Sequence, residues 1–90
     1  MSLHAASMEG DEEAIERLAS QAPCDLRDSS DFTPLHFAAC YGRTGVLQLL
    51  LERAADVEAR SAQGWTAAHL AARNGHLDCL RVLLEAGSLR

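Results

Sequence analysis

Two ten-residue segments of this chain share one pattern and lie 33 residues apart. Residues 33–42 read TPLHFAACYG and residues 66–75 read TAAHLAARNG. A shorter match lies near the N-terminus, so that His4, His36 and His69 each stand six residues before a glycine. The intervals of 32 and 33 residues between these histidines indicate an internal repeat. A period of this length predicts stacked copies of one small supersecondary unit.

Each unit is predicted to form two helices joined by a tight turn. Thr33 is a suitable N-cap, and Pro34 fits the first helical position, where its missing N–H costs nothing. Gly42 is expected to end this first helix in the left-handed conformation. Gly87 is expected to end the last helix. A second helix is predicted in each unit, over residues 14–19, 46–51 and 79–84. It is rich in leucine in the second and third units and has fewer apolar residues in the first.

Small residues on the first helices and leucines on the second helices determine how the units pack. Ala38-Ala39 and Ala71-Ala72 allow the first helix of one unit to approach its neighbour closely. The leucine-rich face of a second helix is too large for one unit to bury alone, so the units must stack. The sequence therefore predicts an all-α fold of stacked helix pairs.

With these features the chain resembles ankyrin-repeat proteins, whose sequence signature is a 33-residue period with the motif T-P-L-H-x-A. Residues 33–39 match this pattern outright, and residues 66–87 match a full helix pair with Ala67 and Ala68 in place of Pro and Leu. The resemblance implies an all-α ankyrin-repeat solenoid of stacked helix-turn-helix pairs with short hairpin-like loops. It implies a single domain over residues 1–90, with a cap-like repeat 1 at about 1–32, repeat 2 at about 33–65 and an incomplete repeat 3 at about 66–90.

The charges are unevenly distributed and argue against nucleic acid as a partner. The net charge is −5, and residues 1–30 hold seven acidic side chains against two arginines. Proteins that bind nucleic acid show clustered basic side chains instead. All eight basic residues are arginine, so chemistry that needs a lysine amine is excluded.

Three further features bear on where the protein resides. No apolar run approaches the roughly 18 residues of a membrane span, which predicts no membrane partner. The N-terminus, MSLHAASMEGDEE, lacks the basic and apolar regions of a signal peptide. Cys24, Cys40 and Cys79 are an odd set without the spacing of a disulfide framework or a zinc ribbon. We therefore expect an intracellular protein, cytoplasmic or nuclear.

The repeated histidines invite a metal or proton-transfer hypothesis. The resemblance implies a structural role instead, in which each histidine bonds to the threonine at its helix start and to the adjoining loop. Equivalent positions on stacked helices are about 8–10 Å apart, too far to share a zinc ion that binds nitrogen at roughly 2.0–2.1 Å. His76 is expected to be exposed at the start of a second helix. No catalytic residue, metal ligand or cofactor is predicted.

The cysteines are predicted to differ in exposure. Cys79 is in phase with Val46 on a second helix, which favours a small apolar residue of the core. Cys24 aligns with Val57 and is expected to point inward. Cys40 follows the alanines, where the resemblance implies an outward residue, and both an exposed thiol and a half-buried one remain open.

The resemblance also implies that a protein partner docks on the loop tips and on the outward face of the first helices. Three of the four aromatic residues fall in this set, and aromatic and arginine side chains commonly anchor interfaces. Tyr41 and Arg73 are the better candidates, since Phe32 and Trp65 could instead support the loops. The candidate partner-binding residues are Met8, Glu9, Ser29, Ser30, Phe32, Cys40, Tyr41, Ala62, Gln63, Trp65, Arg73 and Asn74.

The predicted function is that of a non-catalytic protein–protein interaction module that presents a concave surface to a protein partner. The alternative is a fragment of a larger enzyme or signalling protein, since residues 88–90 stand where a further loop should begin. Three cysteines, imperfect repeats and no lysine disfavour a designed protein. The second helix of repeat 3 keeps Leu80, Val82, Leu83 and Leu84, so this uncapped repeat is expected either to self-associate or to precede a fourth repeat.

Overall fold

A computed structural model describes residues 2–21 and 23–88 of the chain. Six helices and no strand occur within these residues, which confirms the all-α class and the pairing of helices within each unit. The helices are α1 (Leu3–Glu9), α2 (Glu12–Ala19), α3 (Pro34–Cys40), α4 (Thr44–Glu52), α5 (Ala67–Arg73) and α6 (Leu77–Ser88).

The first helices of the second and third units begin at the predicted caps. The Thr33 side chain accepts the His36 backbone N–H, and the His36 ring Nδ1 accepts the Thr33 N–H at 3.0 Å. Thr66 and His69 make the same reciprocal pair, with 3.1 Å between the Thr66 nitrogen and Nδ1. Because the two exchanged bonds satisfy backbone donors that a helix start leaves unpaired, each cap holds its helix start in place.

A left-handed glycine turns the chain from the first helix of each unit to the second. Gly42 has φ of +70°, a conformation that only glycine adopts without cost. The Arg43 N–H then donates to the Ala38 carbonyl at 2.8 Å and closes the turn. The expectation for Gly87 was wrong, because α6 continues through it to Ser88. A glycine permits a left-handed turn but does not enforce one.

The helices form two layers with the core between them. The inner layer consists of α1, α3 and α5, which pack side by side, and the outer layer of α2, α4 and α6. Ala38 and Ala39 are fully buried, and their small side chains allow the inner helices to approach closely. Leu47 and Leu50 of α4 are also fully buried, because neighbouring units cover the middle unit on both sides.

The inter-unit loops fold into hairpin-like turns that stand beside the inner helices. The Asp28 carboxylate accepts the N–H groups of Ser30 and Phe32, both at 2.9 Å. Successive loops are joined directly, since the Ala62 N–H donates to the Ser30 carbonyl at 3.0 Å. The loop tips are therefore fixed in a row along one edge of the inner layer.

Two of the repeated histidines tie a first helix to the loop that leads into the next first helix. His4 Nε2 lies 2.9 Å from the Phe32 carbonyl oxygen, and His36 Nε2 lies 2.8 Å from that of Trp65. In His36 the Nδ1 atom accepts a bond, so the proton is on Nε2 and is donated to the carbonyl. The structural role implied by the resemblance is confirmed for this residue.

Candidate partner-binding surface

A small apolar pocket opens between α3 and α5 on the inner layer. Its volume is about 130 Å³. His36 lies at the buried end, and Tyr41, 47% exposed, lies at the mouth. The lining side chains are Phe32, His36, Phe37, Cys40, Tyr41 and Leu70. The pocket therefore combines a fixed apolar floor with an exposed aromatic rim.

Ring contacts hold the pocket walls in place. Phe32 packs against Phe37 with ring centroids 5.8 Å apart, and edge-on against His36 at 5.4 Å. His4 packs edge-on against the other side of Phe37 at 5.5 Å. Such offset and edge-on arrangements are the favourable ones for aromatic rings. Phe32 supports the loop and lines the pocket at the same time, so the two interpretations offered for it are compatible.

A second feature of this surface is a cation stacked on an indole. Arg73 Cζ lies 5.3 Å from the Trp65 ring centroid. Trp65 is half-buried and also packs edge-on against the ring of His69, with centroids 6.1 Å apart. The Arg73 side chain is exposed, so the stack presents a positive charge in a restrained position.

The twelve candidate residues are either exposed or half-buried, and they lie at the pocket, at the Trp65–Arg73 contact, or at helix ends and loop tips. Phe32, Cys40 and Tyr41 meet at the pocket, and Trp65 and Arg73 form the stack. The rest lie at the ends of α1 and α5 or on the loop tips. The exposed members are Glu9, Ser29, Tyr41, Ala62, Gln63, Arg73 and Asn74, and the half-buried members are Met8, Ser30, Phe32, Cys40 and Trp65.

Sequence reasoning missed three residues that line the pocket. Phe37 precedes Cys40 and Tyr41 by three and four residues, so it shares their helix face. Leu70 is its equivalent 33 residues later, and His36 forms the buried end. The signal for Phe37 is its helical spacing from Cys40 and Tyr41, and the signal for Leu70 is the 33-residue period.

Cys40 is half-buried, and its carbonyl oxygen and sulfur accept hydrogen bonds from side chains of the third unit. The Asn74 amide donates to its carbonyl at 3.1 Å and to its sulfur at 3.3 Å. His76 Nε2 donates to the same carbonyl at 3.0 Å. The expectation that His76 is exposed was therefore wrong. Its ring covers Gly42, where a Cβ would come within 2.7 Å of Nδ1.

The other two cysteines are placed as expected. Cys79 is fully buried, with its sulfur 3.3 Å from the Thr44 hydroxyl. Cys24 is half-buried and packs against the core. Burial, together with the nearby Asp25 carboxylate, raises the pKa of the Cys24 thiol. A raised pKa keeps the thiol protonated at neutral pH and makes it a poor nucleophile.

His36, at the buried end of the pocket, is a titratable group whose pKa is shifted. Burial lowers the pKa of its imidazole, and the nearby Arg27 cation acts in the same direction, against the opposing effect of the bond to Trp65. A lowered pKa keeps the ring neutral, as its two hydrogen-bond roles require. Among the described residues, no three metal-ligating side chains are clustered.

The face of the third unit that points away from the second unit is more exposed than its counterparts. His69 and Ala72 are exposed, whereas the equivalent His36 and Ala39 are buried. Leu77 is 68% and Leu84 60% exposed. We call the surface formed by Ala68, His69, Ala72, Leu77, Leu80 and Leu84 the C-terminal face.

Comparison with protein families identifies the architecture. A model of ankyrin repeats matches the chain in three copies over residues 3–89. The chain belongs to the ankyrin-repeat family. Ankyrin repeats generally mediate protein–protein interactions, and the repeat itself is typically non-catalytic.

Curated relatives of this ankyrin-repeat chain share parts of it. It is 44% identical over 57 residues to serine/threonine-protein kinase 12 of Arabidopsis thaliana, covering 62% of this chain and 12% of the kinase. It is 37% identical over 70 residues to the human ankyrin repeat domain-containing protein SOWAHB, covering 69% of this chain and 9% of that protein. Delta-latroinsectotoxin-Lt1a of Latrodectus tredecimguttatus is 44% identical over 39 residues, covering 43% of this chain and 3% of the toxin. The chain thus spans 12% or less of the length of these relatives.

None of the helices in the described part of the chain is long and apolar enough to cross a bilayer.

Proposed function

We propose that this ankyrin-repeat chain is a non-catalytic module that binds a protein partner through its inner surface. By inner surface we mean the pocket residues, the Trp65–Arg73 stack and the adjoining loop tips. The observation that carries the proposal is the apolar pocket with the exposed Tyr41 at its mouth. The module comprises a single domain over residues 1–90, with repeats at about 1–32, 33–65 and 66–90, in an intracellular compartment.

The energetics of such an interface follow from its few anchors. Burying one aliphatic or aromatic side chain in the pocket contributes roughly 1.5–3 kcal/mol. The pocket walls are held by ring contacts and helix caps, so little ordering is required on binding. The polar loop tips, which include Ser29 and Gln63, surround the anchors and exclude water from them. Affinity then comes from the anchors and specificity from the polar rim.

Affinity capture from a cell lysate, read out by mass spectrometry, tests this proposal. The baits are the wild-type protein and a Tyr41→Ala/Arg73→Ala double variant. Both substituted side chains are exposed in the wild-type protein. A Gln48→Ala/Arg81→Ala variant changes two exposed side chains of the outer helices and serves as the matched control. We expect the same proteins on wild type and control, and their loss from the inner-surface variant. Retention of every captured protein by that variant would show that the partner binds elsewhere.

We also propose that the C-terminal face pairs with the C-terminal face of a second copy. Its exposed leucines, Leu77 and Leu84, form an apolar surface of the kind that usually acquires a partner. The N-terminal end of the molecule is a poor partner for the C-terminal face. Arg43 and His76 each donate a hydrogen bond to a carbonyl of the preceding unit, and Asp11 occupies the equivalent position in the first unit. A carboxylate cannot donate such a bond. A two-fold pair of like faces is therefore favoured over head-to-tail stacking.

Sedimentation over a wide range of protein concentration tests this pairing. Wild type is expected to show a monomer–dimer equilibrium, and a Leu77→Gln/Leu84→Gln variant is expected to remain monomeric with unchanged helicity. Both leucines are exposed, so the substitutions should leave the fold intact. Wild type that stays monomeric throughout, or a variant that dimerises equally, would refute the pairing.

A second candidate function is that the repeats position a catalytic or signalling domain within a larger protein. The partial match to a serine/threonine-protein kinase favours it. Immunoblotting of cell extracts with an antibody to residues 44–54 measures the mass of the native protein. A mass well above 9.7 kDa supports this candidate, and a band at that mass contradicts it.

A further inference from the structure

We propose that the inner surface selects a protein segment that carries an apolar side chain and, close to it, an aspartate or glutamate. The apolar side chain fills the pocket between α3 and α5, and the carboxylate pairs with Arg73. This inference rests on the proposed function and specifies the chemistry of the partner.

The size of the pocket limits the apolar side chain. A dry cavity of roughly 150 Å³ lined by apolar side chains accepts one benzene molecule. The pocket here has about 130 Å³ and a mainly apolar lining, to which Phe37 of α3 and Leu70 of α5 contribute. It therefore fits one leucine, isoleucine, methionine or phenylalanine side chain and is too small for an indole.

The state of the Arg73 guanidinium indicates the second group. Its Cζ lies over the Trp65 ring, 5.3 Å from the centroid, a contact that uses none of its N–H donors. Arg27 and Arg43 differ, because they donate to the carbonyls of Arg60 and Met8 at 2.8 Å in each case. Within the described part of the chain, Arg73 makes no hydrogen bond or ion pair. A guanidinium held over an aromatic ring, with its N–H groups unpaired, can bind a carboxylate in a bidentate manner.

The position of Arg73 places the two features within one short segment of a partner. Leu70 lines the pocket, and Arg73 follows it on the same face of α5. One helical turn rises about 5.4 Å, and the guanidinium lies at the end of a long side chain. A carboxylate two or three residues from the apolar side chain spans this separation in an extended segment, at about 3.3–3.6 Å per residue.

The charge of the surface favours a carboxylate over a phosphate group. Domains that recognise phosphorylated segments use clusters of arginine, whereas the lining of this pocket contains no arginine and the adjoining contact with Trp65 supplies one, Arg73. The chain as a whole carries a net charge of −5, which opposes a dianion more than a single negative charge. We therefore commit to the side chain of aspartate or glutamate.

Selection from a random peptide library tests the inference, with a charge-reversed variant as the comparison. The library is selected in parallel against wild type, Arg73→Glu and the control Arg81→Glu, whose side chain is exposed on α6. Wild type and the control are expected to enrich an apolar residue with Asp or Glu two or three positions away. Arg73→Glu is expected to enrich Lys or Arg at that position. The same acidic preference in all three pools would overturn the inference.

A coupling measurement then assigns the pairing to one residue. One enriched peptide and its variant with the acidic residue replaced by Lys are titrated against wild type and Arg73→Glu. We expect each single change to weaken the Kd by about tenfold or more, and the double change to recover most of that loss. Effects that simply multiply would show that the carboxylate does not contact Arg73.

The same peptide distinguishes failure of the inference from failure of the proposed function. Tyr41→Ala should weaken its binding, because Tyr41 forms the pocket mouth. Binding that depends on Tyr41 but shows no coupling to Arg73 would leave the binding surface in place and refute the carboxylate. Binding unaffected by Tyr41→Ala, or enrichment of no peptide, would contradict both.

Discussion

His36 Nε2 lies 2.8 Å from the carbonyl oxygen of Trp65, the residue directly before Thr66, which caps α5. The same ring caps its own helix through Nδ1 and Thr33, so one side chain caps α3 and also joins it to the loop that leads into α5. His69 makes the equivalent cap with Thr66 but is exposed, and no acceptor within the described residues faces its Nε2. His36 therefore both caps a helix and joins it to a loop, whereas His69 only caps a helix.

His36→Ala is expected to destabilise the protein more than His69→Ala. Loss of a cap costs about 0.5–2 kcal/mol, and leaving a buried polar group without its partner costs about 1–3 kcal/mol more. We expect about 3 kcal/mol for His36→Ala and about 1 kcal/mol for His69→Ala in chemical denaturation. Equal losses would mean that the bond to Trp65 contributes nothing to stability.

Stability is also expected to depend on pH through His36. Burial lowers the pKa of this imidazole in the folded state, below the ordinary value of about 6.5 that it has when unfolded. Between these two values the unfolded chain binds a proton that the folded chain does not, so the free energy of unfolding falls as the pH falls. The contribution is fully present above about pH 6.5.

His36→Gln isolates this effect from the titration of the carboxylates. The difference in unfolding free energy between wild type and His36→Gln should be constant above about pH 6.5 and should shrink as the pH is lowered towards 5. Denaturant titrations at several pH values provide this difference. A difference that grows on acidification would reverse the assigned direction of the shift.

Local sequence signals were sufficient for the start of α3 and for the turn that follows it. Thr33, Pro34 and Gly42 act on their own neighbours, so a reader of the sequence can place α3 without knowing what packs against it. His76 is different, because its contacts are with Cys40 and Gly42 of the preceding unit. One signal did exist for it. The residue after each helix-ending glycine in the second and third units, Arg43 or His76, is a long donor that bonds to the unit before.

The outer helices are expected to differ in their contribution to stability. Leu50 in α4 lies between α2 and α6, whereas Leu83 in α6 has a packed unit on one side within the described chain. Replacing a packed leucine by alanine costs roughly 2–5 kcal/mol. We expect Leu50→Ala to fall in the upper part of this range and Leu83→Ala in the lower part, as measured by urea denaturation. A larger loss for Leu83 would contradict the stacking order.

Ala54 offers a stabilising substitution. It has φ of +66° and is exposed just after α4, and a left-handed conformation costs a non-glycine residue roughly 1–2 kcal/mol. Ala54→Gly removes this cost and adds about 0.4–1 kcal/mol of chain entropy to the unfolded state. We therefore expect a net gain of about 0.5–1 kcal/mol in unfolding free energy. Ala62→Gly, at an exposed loop position without positive φ, should give no gain.

The binding surface was harder to foresee than the fold. The repeat period identifies which face of each inner helix points outward, and this placed Tyr41 and Arg73 on one surface. The pocket itself depends on how α3 and α5 approach each other, and hence on Phe37 and Leu70 across a repeat boundary. The stack of Arg73 on Trp65 likewise joins a loop to a helix end. Such contacts follow from packing and not from position in the motif.

The most direct test of the proposed binding surface is a titration of the isotope-labelled protein with a library-selected peptide, followed by amide chemical shifts in solution. We expect saturable shifts at Phe37, Tyr41, Leu70 and Arg73, with the amides of α2, α4 and α6 largely unchanged. Shifts confined to the outer helices or to the C-terminal face would contradict the account, because the partner would then bind a surface other than the inner one.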